Sequence, residues 1–436
     1  MNKIGLRKEE KAFETRVALV PDHVRLLHDK YSIEFILEPS NQRAFSEDEY
    51  DIEVKSLKGS GVPVIMGIKE MPIDIFEKDI VYIFFSHTIK GQTSNMPMLK
   101  RIIDVGATLI DYERVVDDNG RRLIYFGNWA GMAGISETLR ILGERLESLG
   151  IKPNPFAGMK PTLEIREVDE LKEEFQLLGN RIKEQGLPEE ITPFVIGFAG
   201  YGNVSKGAQE IFDILPHKTV TPESLDLLPP ESYLLYKCVF KEEHMVKPKD
   251  PTTKFDLQDY YAHGKAKYTG VFHNYIPHLT VLMNCIYWTN KYPRLVTLDF
   301  IRNHWKSEDR KLQVIGDISC DIKGAIELTV HCTTADKPAF TYLINENKAE
   351  LGVKGKGPVI MAVDNLPCEL PRESSTSFSK TLLDFIPALA NADFTVPFSN
   401  LDLPREIKDA VIVYRGKLTE KFQYLEQYLP KENNQE

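Results

Sequence analysis

The sequence predicts an α/β protein with mostly parallel β-sheets, and three observations lead to this prediction. Strand-like and helix-like segments alternate from residue 3 to residue 112, which is the order typical of a parallel sheet. The chain has 436 residues, a length that suggests about two or three domains. Residues 194–212 read as a buried strand, a glycine turn and a helix.

The first part of the chain contains five strand candidates, at residues 3–7, 33–37, 64–68, 80–85 and 108–112. Residues 21–29 follow the first strand and are predicted to form a helix, since a proline near the start favours a helix N-terminus. Ser46 and Glu49 have the spacing of a capping box, which predicts a short helix after residue 46.

Two long helices and three further strands are predicted beyond these segments. Apolar residues recur at helical spacing from Gly131 to Leu149, and Gly150 is placed as a C-cap. Residues 168–185 form a second, charged helix. The later strand candidates are residues 218–221, 233–240 and 312–318.

The glycine turn in residues 194–212 favours a dinucleotide-binding site. Gly200 allows a tight turn, Gly202 lets the backbone approach a pyrophosphate, and Asn203 and Val204 open a helix whose free N–H groups face that anion. Ser205 stands where the fingerprint has its third glycine. A purely structural turn between a strand and a helix would give the same pattern, so both interpretations remain at this point.

The coenzyme prediction rests on the strand that follows this helix. In NAD-binding domains the second strand usually ends in an acid that holds the ribose 2′-OH. Here that stretch begins His217-Lys218, with no acid before Glu223. His217 or Lys218 would accept a 2′-phosphate, which favours NADP over NAD, with NAD remaining an alternative.

Three polar residues follow later apolar segments, namely Asp317, Asp321 and Asn365. Side chains at such positions bind ribose hydroxyls or the nicotinamide amide. Asp and Asn that only stabilise a turn would look identical in the sequence.

Composition excludes several functions. The formal net charge of −10 argues against a general affinity for nucleic acid or anionic membranes. Five cysteines without CxxC spacing indicate reduced thiols rather than disulfides or a zinc site, and no histidine pattern predicts another metal site. The charged N-terminal residues do not resemble a signal peptide. We therefore expect a cytoplasmic protein.

Ionisable residues follow several strands of the first part of the chain. Arg16 precedes the first helix and is suited to bidentate binding of a carboxylate, although a surface salt bridge is an equal alternative. Lys69 and Glu70 follow one strand and His87 follows the next. We expect Lys69 and His87 to lie close together, each lowering the pKa of the other, which suits acid/base catalysis; solvated side chains are the alternative.

A third group combines acidic and basic residues around a predicted turn. Asp111 and Glu113 precede the turn sequence Asp-Asp-Asn-Gly at 117–120, and Arg121, Arg122 and Phe126 follow it. The acids and arginines are expected to face each other across a hairpin, where they bind a substrate or form an exposed charge pair.

These segments resemble a known enzyme family. The sequences Phe-Phe-Ser-His-Thr-Ile-Lys at 84–90, Gly-Asn-Val-Ser-Lys-Gly-Ala-Gln at 202–209 and Gly-Asp-Ile-Ser-Cys-Asp at 316–321 are similar to the lysine–2-oxoglutarate reductase half of aminoadipic semialdehyde synthase. The wider group includes lysine-forming saccharopine dehydrogenase and, more distantly, alanine dehydrogenase and transhydrogenase. The resemblance runs from about residue 3 to about residue 427.

The resemblance implies two Rossmann-like domains with a substrate cleft between them, one of residues 1–130 and 373–436 and the other of residues 131–372. It implies an NADPH-dependent condensation of L-lysine with 2-oxoglutarate to saccharopine. Lys69 and His87 would be the acid/base residues. The substrate-binding positions would be Arg16, Glu70, Glu113, Arg122 and Phe126.

Other expectations follow from the same resemblance. The chain would catalyse only this first step, with a separate enzyme oxidising saccharopine, and a homo-oligomer is compatible with it. The alternatives are another amino-acid dehydrogenase of this fold, such as alanine dehydrogenase, and a nucleotide-binding protein without catalysis.

Overall fold

The computed structural model describes residues 2–306 and 310–430. They form two compact units, one of residues 2–126 with 371–430 and the other spanning residues 127–370 apart from the gap. We call these the first unit and the second unit.

The described residues form eighteen β-strands in chain order: β1 (Lys3–Leu6), β2 (Glu34–Leu37), β3 (Glu53–Val54), β4 (Val64–Met66), β5 (Val81–Phe84), β6 (Thr108–Asp111), β7 (Val195–Ala199), β8 (His217–Val220), β9 (Leu235–Phe240), β10 (Val246–Pro248), β11 (Tyr268–Gly270), β12 (Val281–Asn284), β13 (Val314–Asp317), β14 (Ala339–Leu343), β15 (Lys348–Leu351), β16 (Val359–Met361), β17 (Val411–Tyr414) and β18 (Lys417–Leu418). The same residues form twelve α-helices: α1 (Pro21–Tyr31), α2 (Glu47–Tyr50), α3 (Met96–Asp104), α4 (Gly127–Ser148), α5 (Val168–Gln185), α6 (Asn203–Phe212), α7 (Glu242–Met245), α8 (Leu257–His263), α9 (Leu298–His304), α10 (Pro371–Leu382), α11 (Ile386–Asn391) and α12 (Arg405–Lys408).

The first unit is built on an eight-stranded sheet in the order β18-β17-β6-β5-β4-β1-β2-β3. Pairing is parallel from β6 to β3, while β17 is antiparallel to β6 and β18 is antiparallel to β17. Every residue of β4, β5 and β6 is buried, because apolar side chains cover both faces of this sheet. The parallel strands therefore end together at one edge.

The second unit has its own eight-stranded sheet in the order β15-β14-β16-β13-β12-β7-β9-β8. Pairing is parallel from β16 to β8, and β14 and β15 form an antiparallel edge. Strands β10 and β11 form a separate antiparallel pair. The prediction of an α/β protein with mostly parallel sheets is confirmed.

The chain changes direction across the second sheet at β7. From β7 it runs to the edge strand β8 and returns through β9, which pairs with both β8 and β7. It then continues to β12 on the opposite side of β7. Ligands of open α/β sheets bind outside the carboxyl ends of the strands at such a reversal.

The predicted helices agree with the structure except at their ends. Helix α5 has the predicted bounds, and Ser46 caps α2 in a capping box as predicted. Helix α4 begins four residues before the predicted Gly131, and it ends at Ser148, which leaves Leu149 46% exposed. Gly150 follows with a φ of 78°, in the left-handed region expected of a C-cap glycine.

Within the described ranges, no helix combines the length and apolar character needed to cross a membrane. The same residues contain no group of three or more His, Cys, Asp or Glu side chains placed to hold a metal ion.

Candidate active site

The carboxyl ends of β4 and β5 bring Glu70 and His87 together in the first unit. The two strands are parallel neighbours, with Met66 opposite Ile83. His87 Nδ1 lies 2.5 Å from Glu70 Oε1, and the His87 ring stacks on Phe85 with centroids 6.2 Å apart. His87 has a φ of 47°, a left-handed conformation that is uncommon for a residue other than glycine and occurs often at functional sites.

The Glu70 carboxyl is held in its ionised form. Burial on its own would raise the pKa of Glu70, but the hydrogen bond and the charge of His87 outweigh burial and lower this pKa to about 2. The Glu70–His87 pair therefore keeps a full negative charge on one side of the imidazole ring.

Lys69, the residue before Glu70, has an amine with a lowered pKa. Burial lowers the pKa of Lys69, and the nearby positive charge of Arg16 lowers it further. The sequence predicted this direction from the proximity of His87, whereas burial and the charge of Arg16 are the larger causes in the structure. Lys69 is partly buried, so its chemistry is set first by loss of hydration.

Glu9 fixes the backbone of this segment and was missed in the sequence. Its carboxylate accepts hydrogen bonds from the backbone N–H groups of Ile68, at 2.6 Å, and Lys69, at 2.9 Å. Burial, followed by the charge of Glu14, raises the pKa of Glu9 to about 7. Glu9 lies in the charged run after β1, and no local pattern separates it from solvated acids such as Glu10.

Arg16 is buried, and its guanidinium pairs with a neighbouring acid. Arg16 Nε lies 2.7 Å from Glu14 Oε1, and Nη2 lies 2.5 Å from Glu14 Oε2. The guanidinium carbon is 4.1 Å from the centre of the Phe126 ring, which itself stacks on Phe378 at 4.7 Å. The structure thus shows a salt bridge, as in the alternative given for Arg16, but a buried one and not one on the surface, while binding of a substrate carboxylate stays a prediction.

The predicted hairpin group is present next to the same sheet edge. Arg122 Nη2 lies 2.6 Å from Glu113 Oε1, and Val116 pairs with Arg122 in an antiparallel bridge. Asp111, at the end of β6, is fully buried and accepts hydrogen bonds from the backbone N–H groups of Ser86 and Glu113. Asp111 thereby fixes the loop that carries His87 and the turn that carries Glu113.

In the second unit, the glycine turn lies at the carboxyl end of β7. Gly200 has a φ of 95°, which requires glycine, and its N–H donates to the carbonyl of Phe240. Gly202 caps α6, and a Cβ at this position would meet no atom within 4 Å. This open space beside a helix N-terminus fits the pyrophosphate of a dinucleotide.

The serine in place of the third glycine has a packing explanation. Ser205 is buried, and its Oγ accepts a hydrogen bond from Gln209 at 2.8 Å. The close approach of α6 to α4 occurs instead at Gly207, where a Cβ would lie 2.0 Å from the carbonyl oxygen of Asn128. Asn203 and Val204 form the first turn of α6, as predicted.

His217 and Lys218 do not lie where the sequence placed them relative to the glycine turn. They begin β8, with His217 opposite Leu235, so they occupy the amino end of the edge strand and not the carboxyl end. His217 Nδ1 is also 2.9 Å from the carbonyl oxygen of Leu215. The strand that pairs with β7 is β9, so the reason for expecting a 2′-phosphate at these two residues is wrong.

Asp317, Asp321 and Asn365 each accept hydrogen bonds from other residues of the second unit. The Asp317 carboxylate accepts hydrogen bonds from Asn284 Nδ2, at 2.8 Å, and Thr329 Oγ1, at 2.5 Å, and burial raises its pKa to about 6. The carbonyls of Asp321 and Asn365 accept turn hydrogen bonds from Gly324 and Cys368. Asp317 Oδ1 also accepts a hydrogen bond from the backbone N–H of Cys320 at 3.1 Å, which is the turn-stabilising alternative, and contact of these residues with a coenzyme stays a prediction.

Comparison with known families gives the same fold and a closer group of relatives. The N-terminal domain model of alanine dehydrogenase/PNT matches residues 5–133, and the C-terminal domain model matches residues 273–421. The chain belongs to this family. L-alanine dehydrogenase aligns over 98% of this chain and 100% of its own, with a TM-score of 0.60 and 18% identity. A transhydrogenase from Sinorhizobium meliloti aligns over 96% and 100%, with a TM-score of 0.57 and 14% identity, and both likenesses concern the fold alone.

The sequence relatives carry names from lysine metabolism. The α-aminoadipic semialdehyde synthase of Arabidopsis thaliana is 36% identical over 95% of this chain and 40% of the relative. The mitochondrial enzyme of Mus musculus is 32% identical over 97% of this chain and 47% of the relative. This chain thus spans less than half the length of these two relatives. The saccharopine dehydrogenase [NAD(+), L-lysine-forming] of Emericella nidulans is 29% identical over 88% of this chain and 90% of the relative.

Proposed function

We propose that this protein is an oxidoreductase that joins the ε-amino group of L-lysine to the ketone of 2-oxoglutarate and reduces the product to saccharopine. The observation that carries the proposal is the juxtaposition, at one sheet edge, of the partly buried amine of Lys69 and the Glu70–His87 pair. The names of the sequence relatives support the choice of substrates.

The chemistry needs one proton acceptor and one proton donor. Lys69, whose pKa is lowered, accepts a proton from the ε-ammonium of the substrate, which frees the nitrogen lone pair to attack the ketone carbon. After the attack, the nitrogen passes one of its protons to the former ketone oxygen and His87, held by Glu70, donates a second, so that the oxygen leaves as water. A C=N bond remains, with the nitrogen protonated.

The open space at Gly202 and the N-terminus of α6 support a nicotinamide dinucleotide as the coenzyme. When bound in its reduced form, it supplies the hydride that reduces the C=N carbon. Per turnover, one ketone oxygen is lost as water and one hydride is gained. The resemblance to the reductase half of aminoadipic semialdehyde synthase implies NADPH, and NADH would supply the same hydride.

Three substrate carboxylates must be neutralised, since lysine carries one and 2-oxoglutarate carries two. Arg122 is 45% exposed, so it can exchange Glu113 for a substrate carboxylate and leave Glu113 to face an amine. Arg16 contributes its fixed positive charge from behind Phe126. We propose these roles for both arginines.

The test is coenzyme oxidation with a matched substrate panel. We expect oxidation of NADH or NADPH only when both lysine and 2-oxoglutarate are present, with saccharopine identified by mass spectrometry. Oxidation with pyruvate and ammonia in place of this pair would instead identify an alanine dehydrogenase. Coenzyme binding without oxidation by any pair would indicate a non-catalytic nucleotide-binding protein.

A further inference from the structure

A cavity rich in tyrosine lies beside the glycine turn of the second unit. It has a volume of about 330 Å³ and is open to solvent on one side. We call it the tyrosine cavity. Its lining residues are Gly200, Tyr201, Gly202, Glu242, Met245, Tyr260, Tyr261, Cys285, Ile286, Tyr287, Trp288 and Tyr292.

The tyrosine cavity lies at the reversal point of the second sheet. Its lining comes from the turn after β7, the segment after β9, helix α8 and the segment after β12. These three strands are neighbours, and their carboxyl ends share one edge. A dinucleotide with its pyrophosphate at Gly202 would therefore place its adenosine half among these aromatic rings, where a purine stacks well.

Glu242 is the acidic residue of this cavity. It follows β9 by two residues, and β9 is the strand that pairs directly with β7. The position is thus the one from which an acid holds the ribose of a bound NAD. The sequence concealed it, because β8 comes second along the chain while β9 comes second across the sheet.

The Glu242 carboxylate is held toward the cavity by a tyrosine. The hydroxyl of Tyr261 donates to Glu242 Oε1 at 2.6 Å. Burial raises the pKa of Tyr261, and the hydrogen bond to Glu242 raises it further, so the hydroxyl stays a donor and the carboxylate stays an acceptor. The carboxylate is then oriented before any ligand arrives.

The described lining of the cavity is aromatic, apolar and acidic. Among the described residues that line it, none is a lysine, an arginine or a histidine. A phosphate on the ribose 2′-oxygen would bring about −1.5 to −2 charges next to a fixed carboxylate. A free 2′-hydroxyl would instead donate a hydrogen bond to that carboxylate.

We infer that Glu242, oriented by Tyr261, binds the adenosine ribose and makes this protein select NAD(H) over NADP(H). The inference rests on the proposed use of a nicotinamide dinucleotide, but it does not depend on which amino acid or keto acid is the substrate. It reverses the coenzyme preference that the sequence and the family resemblance suggested.

Calorimetric binding to the full chain without substrate tests this inference. The probes are NADH against NADPH, and 5′-AMP against adenosine 2′,5′-bisphosphate, since each pair differs only by the 2′-phosphate. A hydrogen bond to a charged group discriminates by about 10-fold or more, so we expect at least that preference for the probe without the phosphate.

Two variants test whether the preference for NADH comes from Glu242 and Tyr261. In Glu242→Gln the charge is lost, so we expect weaker NADH binding and a preference reduced by about 10-fold. Tyr261→Phe should weaken NADH binding less, because the carboxylate remains. Glu243→Gln is the matched control: Glu243 is exposed, lies outside the cavity lining and carries the same charge, so its preference should equal that of the wild type.

Equal or tighter binding of NADPH by the wild type would overturn the inference, and so would an unchanged preference in Glu242→Gln. Failure of all four probes to bind would overturn it together with the dinucleotide site. Selective NADH binding without turnover of lysine and 2-oxoglutarate would leave the inference standing and would reject only the proposed substrates.

Discussion

At the scale of single residues, Lys69 and Glu70 are adjacent in sequence but are tuned in opposite ways. Burial dominates at Lys69 and favours the neutral amine. At Glu70 the effect of burial is outweighed by His87, and the charged carboxylate is favoured. A lysine with a lowered pKa is more readily available to accept a proton, and the ionised Glu70 holds His87 for proton donation, which are the two roles that imine formation requires.

Replacing the amine tests the proposed base. Lys69→Met should reduce kcat by ~10² or more while coenzyme binding is retained, because the acid/base group is lost and the methionine side chain fills a similar volume. Steady-state kinetics and calorimetry measure the two effects. Lys78→Met is the control, since Lys78 is exposed on the same unit, and equal loss in both variants would contradict the assignment.

Replacing His87 should reduce kcat more than replacing Glu70. His87→Gln should reduce kcat by ~10² or more because the proton donor is lost, whereas Glu70→Gln should reduce it by ~10-fold, because the histidine remains but its charged partner does not. Unchanged turnover in the double variant Lys69→Met/His87→Gln would remove both residues from the mechanism.

The sequence identified the residues that follow strands but not the residues that hold them. Lys69, Glu70 and His87 were predictable, because ionisable side chains after consecutive parallel strands lie at one edge. Glu9 was not, since its role depends on the backbone N–H groups of Ile68 and Lys69, which lie 59 and 60 positions further along the chain. Burial decides which acid in a charged run becomes structural, and burial is a property of the folded chain.

At the scale of elements, α4 and α6 approach each other through glycines. A Cβ on Gly131 would lie 2.0 Å from the carbonyl oxygen of Val204 and 2.6 Å from the nitrogen of Ala208. Such contact with backbone requires the helices to move apart. The same contact explains why Gly131 suits this position although glycine is unfavourable in an isolated helix.

Two alanine substitutions separate packing from coenzyme binding. Gly131→Ala should lower the free energy of unfolding by about 1–3 kcal/mol, because the two helices are overpacked. Gly202→Ala should leave that free energy nearly unchanged, since the new methyl meets no atom within 4 Å and the φ of −73° suits alanine. It should nevertheless weaken coenzyme binding by ~10-fold or more, because the methyl occupies the space of the pyrophosphate.

Chemical denaturation and calorimetric titration with NADH and NADPH measure these outcomes. Unaltered coenzyme binding in a folded Gly202→Ala protein would remove the glycine turn from the binding site and return it to the plain structural turn.

The order of strands across a sheet was the main feature that the sequence did not supply. The strands and helices that the sequence did predict were recognised from apolar periodicity and turn residues, and most of their bounds differ by one or two residues. Along the chain β8 follows β7, but across the sheet β9 lies between them. This order depends on pairing between distant segments, since β8 pairs with β9 and not with β7. Because of this strand order, the sequence directed the coenzyme prediction to His217 and Lys218 at the start of β8, and not to Glu242 after β9.

At the scale of the whole molecule, buried carboxyl groups in both units couple stability to pH. Burial raises the pKa of Glu9 to about 7 and the pKa of Asp111 and Asp317 to about 6. Glu9 and Asp111 belong to the first unit, and Asp317 belongs to the second. Both sheets therefore contain acids that are harder to ionise in the folded chain than in the unfolded chain.

The sign of the effect follows from proton binding. Between the ordinary pKa of these groups, about 4, and their raised values, the folded chain holds more protons than the unfolded chain, so stability falls as pH rises through this range. Each group is expected to contribute on the order of 1–3 kcal/mol, fully present as a penalty at pH ~8 and absent below pH ~4.

The Glu9→Gln variant cannot ionise at this position, so its free energy of unfolding should fall less steeply with rising pH than that of the wild type. Urea denaturation followed by circular dichroism from pH ~5 to ~8 measures the slope, with the exposed neighbour substitution Glu10→Gln as the control. A wild-type slope in Glu9→Gln, or an equally reduced slope in Glu10→Gln, would show that the buried carboxyl of Glu9 is not the group that titrates.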